Sequence, residues 1–159
     1  MKTIRWVLPV LIMIGLSAGS AAPLDAPRAV IQQILSGMTK AADDPNELAY
    51  KPCPTLCEPT FAELIRRSEL LGTTDEDMPY GYDVFCQCQD YDHQTFRIVS
   101  DRMVDATHNE AKVVGSDKGE KPWTIVLAKI AGAWKVSDVI DESGSVRAGI
   151  VKALNRKKH

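Results

Sequence analysis

The hydrophobic pattern of this 159-residue chain changes from a helical to an alternating period near Tyr82 and returns to a helical period only near the end, after residue 142. The change near Tyr82 limits the possible folds more than any other feature. Before that point apolar residues recur at helical spacing. After it they alternate with polar residues, which is typical of half-buried strands. Helices followed by a run of strands predict an α+β domain in which the strands pair mostly antiparallel.

The helical spacing covers residues 26–39, 60–71 and 143–157. Each segment places its apolar side chains on one face, as expected for a helix that packs on a sheet, and the last is expected to bury Val146, Ile150, Val151 and Leu154. Residues 41–57 are expected to form a loop with one turn of helix near residues 46–50. Ser143 or Ser145 is the expected N-cap of the last helix, because a hydroxyl can accept a hydrogen bond from the first free backbone N–H groups.

The alternating pattern predicts six strands, with hairpin turns where glycine can supply a positive φ, at Asp117-Lys118-Gly119 and Ala131-Gly132. We expect a curved, mostly antiparallel sheet that wraps around the N-terminal helices and is followed by a short C-terminal helix. The predicted strands are residues 83–88, 95–100, 103–107, 111–115, 123–130 and 133–140.

The first 21 residues have the pattern of a secretory signal peptide. Lys2 and Arg5 precede an uncharged apolar run, and small residues follow it, so we expect cleavage near Ala21 and a single domain over residues 22–159. The apolar run is too short to span a membrane, and no cysteine near the cut offers a lipid anchor. The sequence therefore predicts a periplasmic or secreted protein with no stable membrane anchor after cleavage.

Removal of the leader would leave 17 basic and 21 acidic residues, a net charge of −4. This balance argues against nucleic acid as a partner, since binding to phosphates draws its affinity from clustered Lys and Arg. The one basic cluster, residues 156–159, ends the chain, where cations complement the negative end of a helix dipole.

Three short segments carry a resemblance to a known family: residues 81–85 (GYDVF), Gln89-Asp90, and residues 132–139 (GAWKVSDV). With them the chain resembles exported bacterial proteins of domain-of-unknown-function family 3828. The resemblance implies the cone-shaped fold named for nuclear transport factor 2, over about residues 26–154. It implies no activity and no cysteine pairing.

Four cysteines, Cys53, Cys57, Cys86 and Cys88, are expected to form disulfides in an exported domain. Two bonds from the 53/57 loop to the 86/88 strand are favoured over local pairing of Cys53 with Cys57. The Cys53–Cys57 spacing is also similar to the CxxxC of Sco-type copper chaperones, and thiolates select Cu(I). That motif belongs to a thioredoxin-like frame, which this sequence lacks, so no metal and no cofactor are predicted.

Asp138 is the first candidate for a catalytic group. Strict alternation would place it inside an apolar row, where burial would raise its pKa and let it act as a general base with Tyr82 or His93. A β-bulge near Ser137 is favoured instead, and it would turn Asp138 outward and Val139 inward. The row that strict alternation predicts consists of Trp134, Val136, Asp138 and Ile140.

A polar patch around Asp83, Gln89 and Asp90 is a candidate binding edge, with Trp134 as a possible aromatic contact. A solvated loop is favoured for the patch, and core packing is favoured for the tryptophan.

Three functions follow in order of preference. The first is a non-catalytic exported domain that binds a small ligand or an envelope or secreted protein. The second is a small lyase, isomerase or hydrolase that uses an acidic residue in the cone pocket. The third is copper or redox chemistry on the thiols. No phosphate-binding glycine loop, serine-hydrolase elbow or HExxH zinc motif occurs in the sequence.

Overall fold

The structure is a computed structural model that describes residues 26–43, 51–70, 83–86, 94–117 and 119–156. The predicted leader lies outside the described residues. Within them three helices precede five strands and a last helix. The elements are α1 (Pro27–Asp43), α2 (Cys53–Leu56), α3 (Pro59–Glu69), β1 (Phe96–Met103), β2 (His108–Gly115), β3 (Trp123–Ile130), β4 (Ala133–Asp141), β5 (Gly144–Ser145) and α4 (Val146–Arg156).

The strands form one antiparallel sheet in the order β1-β2-β3-β4-β5, so the predicted α+β class is confirmed. The β3–β4 hairpin turns on Ala131 and Gly132, which have φ angles of 50° and 86°. Positive φ at both central residues matches the twist of the flanking strands. Gly119, in the β2–β3 connection, also has a positive φ, of 97°.

Two predicted strand assignments are wrong. Residues 83–86 form a turn rather than a strand, because the Asp83 carboxylate accepts hydrogen bonds from the backbone N–H groups of Phe85 and Cys86. The segments 95–100 and 103–107 are not separate strands either. β1 runs without a break from Phe96 to Met103, and residues 104–107 form the turn into β2.

Two bulges set which side chains face the helices. The β1–β2 register skips Val99, and the β3–β4 register skips Ser137. The second bulge makes Val139 fully buried and leaves Ile140 37% exposed, so the predicted bulge is confirmed and the row expected from strict alternation is broken.

The core lies between the helices and one face of the sheet. α1 contacts β1, β2 and β4, while α3 and α4 pack on each other and on β4. The largest fully buried side chains include Phe61 of α3, Ile125 and Leu127 of β3, and Ile150 of α4. From α1 the core receives Val30, Ile31, Ile34, Leu35 and Met38.

Three details of the helices differ from expectation. The segment around Cys53 was predicted as loop but forms the short helix α2, and the turn of helix expected near residues 46–50 lies outside the described residues. The last helix begins at Val146 rather than near residue 143, because Gly144 and Ser145 pair with β4 first. Val151 is 40% exposed, against the prediction that it is buried.

Among the described residues no helix is long and apolar enough to cross a membrane.

Candidate functional site

An open groove of about 780 Å³ lies between α1 and the edge strand β1. This volume falls within the range of small-molecule sites, roughly 300–1,000 Å³. The groove is lined by Arg28, Gln32, Leu35, Ser36, Thr39, Lys40, Phe96, Arg97 and Ile98.

One face of α1 forms the first wall of the groove. Its lining residues recur every three or four positions, with the adjacent pairs Leu35/Ser36 and Thr39/Lys40, which places them in one stripe along the helix. The same helix buries its other face in the core. Because packing in the core fixes α1, the helix holds the residues of the groove wall in place.

The floor of the groove is apolar. Leu35 of α1 is 6% exposed, and Phe96 and Ile98 of β1 are half-buried. Phe96 also meets Trp123 edge-on, with 6.2 Å between ring centroids, so the ring at the floor is held in place.

The rim of the groove is basic, and no acidic residue lines it. Arg28 forms an ion pair with Asp101 at 3.4 Å. Within the described part of the chain Lys40 and Arg97 have no acidic partner, although the whole chain carries a net charge of −2. The hydroxyl groups of Ser36 and Thr39 add hydrogen-bond donors beside Lys40.

Asp138 is engaged at the start of α4 and does not line the groove between α1 and β1. Its Oδ1 accepts hydrogen bonds from the backbone N–H groups of Arg147, at 2.9 Å, and Val139, at 2.8 Å. Its Oδ2 accepts one from the Ser145 hydroxyl at 2.6 Å. The same hydroxyl accepts a hydrogen bond from Ala148 N–H, so Ser145, one of the two predicted candidates, is the N-cap, and Asp138 completes the cap.

Arg147 ties the same helix end to α3. Its guanidinium lies 2.7 Å from Glu58 Oε1 and donates to Thr60 Oγ1 at 2.7 Å. It also donates to the carbonyl oxygen of Ser137, in the β4 bulge. Asp138 therefore stands in a network that positions α4 against α3 and β4.

The remaining predicted site residues do not come together in the described structure. Asp83 caps its own turn, and Trp134 is only 4% exposed. Lys129 Nζ lies 5.8 Å from the centroid of the Trp134 ring, a cation–π contact at the edge of the sheet. The others, Tyr82, Gln89, Asp90 and His93, lie outside the described residues.

Cys53 and Cys57 are bonded to each other, so the favoured cross-pairing is wrong for these two and the local alternative is correct. The disulfide joins the first residue of α2 to the residue that follows the helix. Next to it, Glu58 N–H donates a hydrogen bond to the Val136 carbonyl oxygen at 2.8 Å, which fixes the end of this segment to β4. Cys86 is also disulfide-bonded, while Cys88 lies outside the described residues. Thiol chemistry at Cys53 and Cys57 would first require reduction of their bond.

The groove was not predicted from the sequence. Its basic residues are far apart along the chain, and an exposed Lys or Arg carries no signal of its own. The spacing of Gln32, Ser36, Thr39 and Lys40 marks only the polar face of an amphipathic helix.

Comparison of the chain with known protein families, with curated proteins and with solved structures gives no match.

Proposed function

We propose that this protein is an exported, non-catalytic binding domain whose α1–β1 groove holds a small amphipathic anion. The observation that carries the proposal is the composition of the groove, an apolar floor under a basic rim with no acidic lining residue. A ligand with an apolar body and a carboxylate or phosphate group matches both parts.

The apolar floor favours burial of hydrocarbon, at about 25 cal/mol for each Å² removed from water. The rim supplies Lys40 at one end and Arg28 at the other. Ammonium and guanidinium groups form their strongest hydrogen bonds with carboxylate and phosphate oxygens. Both groups are exposed, so their attraction for an anion should weaken with added salt.

Export supports a binding function outside the cytoplasm. The leader-like first 21 residues and the Cys53–Cys57 disulfide are compatible with a periplasmic or secreted protein. The resemblance to exported family 3828 and to the cone fold named for nuclear transport factor 2 agrees with a domain that holds a ligand between a helix and a curved sheet.

An enzymatic function based on Asp138 receives no support from the geometry. A general base must lie within hydrogen-bond reach of substrate, whereas both oxygens of the Asp138 carboxylate accept hydrogen bonds from its own neighbours, the Val139 and Arg147 N–H groups and the Ser145 hydroxyl.

The experiment is isothermal titration calorimetry of the purified protein with three ligands of equal chain length: dodecanoate, dodecylammonium and dodecanol, each below its micelle concentration. We expect dodecanoate to bind most tightly, dodecanol more weakly and dodecylammonium least. Equal affinity for dodecanoate and dodecylammonium, or no heat with any of the three, would refute the proposal.

A further inference from the structure

The strand β1 forms an open edge of the sheet beside the groove, and a small ligand in the groove would leave that edge uncovered. The strands follow in the order β1-β2-β3-β4-β5, so β1 pairs with β2 on one side only. β1 has eight residues, whereas β5 at the opposite edge has two and leads directly into α4. Among the described strands, β1 is therefore the long edge that remains available for pairing.

The backbone of β1 can pair with a further strand. At a sheet edge every second residue directs its N–H and C=O groups away from the neighbouring strand, where they form a template for another chain. Within the described ranges no backbone hydrogen bond joins residues 96–103 to any segment other than β2. Proteins commonly protect such an edge with proline, a very short strand or a bulge. β1 contains no proline, and its bulge at Val99 lies beyond the residues that line the groove.

The groove reaches the edge of β1 as well as the inner face of the sheet. Phe96 and Ile98 pack against the core, so the side chain of Arg97 between them points to the opposite face. All three residues line the groove. A groove that contacts side chains on both faces of one strand passes along the backbone edge between them. A ligand in the groove therefore lies next to the outward N–H and C=O groups of β1.

Apolar side chains are exposed along the same strand. Val99 and Met103 are 47% and 48% exposed, and Val104, which follows the strand, is 49% exposed. Exposed apolar side chains beside an unpaired edge are typical of a surface that another segment covers. The edge therefore suits a partner that carries apolar side chains of its own.

The charges beside this edge favour an acidic partner. The two other charged residues of β1, Asp101 and Arg102, form ion pairs within the protein. Arg97 and Lys40, at the groove, have no acidic partner in the described part of the chain. A second copy of β1 would bring no unpaired acidic residue to Arg97, because its own Asp101 is already paired. A strand from another protein, with carboxylate side chains, fits this edge better than a second copy does.

We propose that β1 binds an extended acidic segment of another protein, which pairs with it as an additional strand. This inference rests on the proposed function, because the segment supplies the amphipathic anion that the groove holds. If apolar and acidic residues alternate in the segment, its apolar side chains would lie on the floor formed by Leu35, Phe96 and Ile98. Its other face would place a carboxylate opposite Arg97, a favourable cross-strand pair. Main-chain hydrogen bonds to β1 would supply affinity, and the alternating side chains would supply specificity.

The first test is fluorescence anisotropy with a labelled peptide in which glutamate and valine alternate and both termini are blocked. The matched control peptide has lysine in place of every glutamate. We expect the lysine peptide to bind at least about tenfold more weakly than the acidic peptide, because Arg97 and Lys40 would repel it. Arg97→Glu should weaken binding of the acidic peptide by at least about tenfold. Lys152→Glu, on the exposed side of α4, is the control variant and should leave it unchanged.

Amide hydrogen exchange followed by NMR tests the strand pairing itself. In the protein without ligand, the β1 amides that do not bond to β2 should exchange rapidly. The acidic peptide should slow their exchange by at least about tenfold. Dodecanoate, which has no peptide backbone, should leave their exchange unchanged.

The proposal is overturned if the acidic peptide does not bind, if the lysine peptide binds equally, or if Arg97→Glu binds the acidic peptide as tightly as Lys152→Glu. Peptide binding without protection of the β1 amides also overturns it, as does a dimer that protects these amides before peptide is added. Because the dodecanoate titration is a separate experiment, dodecanoate binding without peptide binding would remove this inference alone and leave the proposed function standing.

Discussion

Replacement of Asp138 by alanine tests whether this residue is a structural cap. The change removes the acceptor of Arg147 N–H at the start of α4 and the acceptor of the Ser145 hydroxyl. Loss of an N-cap acceptor costs about 1 kcal/mol, and a partly buried hydroxyl left without its acceptor costs about 1 kcal/mol more. With the lost hydrogen bond to Val139 N–H, the expected destabilisation is about 2–3 kcal/mol.

Thermal unfolding followed by circular dichroism measures this loss. For a domain of this size 1 kcal/mol shifts Tm by about 3–5 °C, so we expect Asp138→Ala to lower Tm by about 10 °C. Asp138→Asn keeps one oxygen acceptor and should lose about 1 kcal/mol, and Ser145→Ala should lose a similar amount. Glu69→Ala, which removes one exposed ion pair with Lys51, is the control and should change stability by less than about 0.5 kcal/mol.

The combination of Asp138→Ala with Ser145→Ala should cost less than the sum of the two single changes, because both remove the same hydrogen bond. A catalytic Asp138 would behave differently. An Asp138→Ala protein as stable as the Glu69→Ala control would refute the structural role and restore the enzymatic interpretation.

Three further predictions concern the turns, the disulfide and the buried polar groups. Hydrogen bonds from Thr107 and His108 lower the pKa of Asp105 from 3.8 to about 2. The stabilisation from the ionised Asp105 carboxylate is therefore complete at pH values above the pKa of the unfolded chain, and it is lost as the pH falls toward 2. The difference in Tm between the wild type and Asp105→Asn should narrow over that pH range, and a constant difference would contradict the lowered pKa. The double variant Cys53→Ser, Cys57→Ser should lower the free energy of unfolding by about 2 kcal/mol in urea denaturation, because the disulfide closes a short loop. Tryptic mapping without reductant should show the peptide that holds both cysteines, lighter by two hydrogens than its reduced form. A peptide cross-linked to Cys86 would contradict the structure. Asn109→Asp should lower the free energy of unfolding by at least about 2 kcal/mol in urea denaturation. Asn109 is 1% exposed and donates a hydrogen bond to Asp101, and a carboxylate at position 109 would repel the Asp101 carboxylate. An unchanged free energy of unfolding would contradict this prediction.

The strands β3 and β4 could be predicted from the sequence almost to the residue, because the Ala131-Gly132 turn separates two runs rich in apolar and β-branched residues. β1 was predicted to end at residue 100, before the polar pair Asp101-Arg102, but it continues through that pair to Met103, and residues 104–107 of the next predicted strand form the turn into β2. The helix α2 was missed because prolines on both sides of Cys53 usually indicate a loop, whereas here Pro52 and Pro54 lie in the first turn, where a missing N–H costs nothing.

The site was harder to predict than the fold. Whether Asp138 faces solvent, a pocket or a helix end depends on the bulge at Ser137 and on the position of Arg147, nine residues further along the chain. The hydrogen bond from Gln94 Nε2 to Asp117 depends on the pairing of Phe96 with Gly115, which no local pattern specifies. Caps and turns between neighbouring residues can be predicted from the sequence. Contacts between distant segments cannot be predicted without knowing how the strands pair in the sheet.

The affinity of dodecanoate for a charge-reversed groove is the most direct test of the proposed function. Lys40→Glu places a negative charge on the rim, and Lys152→Glu places the same charge on the exposed side of α4, away from the groove. We expect calorimetry to show that Lys40→Glu weakens dodecanoate binding on the order of tenfold, which corresponds to about 1.4 kcal/mol, while Lys152→Glu leaves it unchanged. Equal affinities for the two variants would contradict a ligand site between α1 and β1.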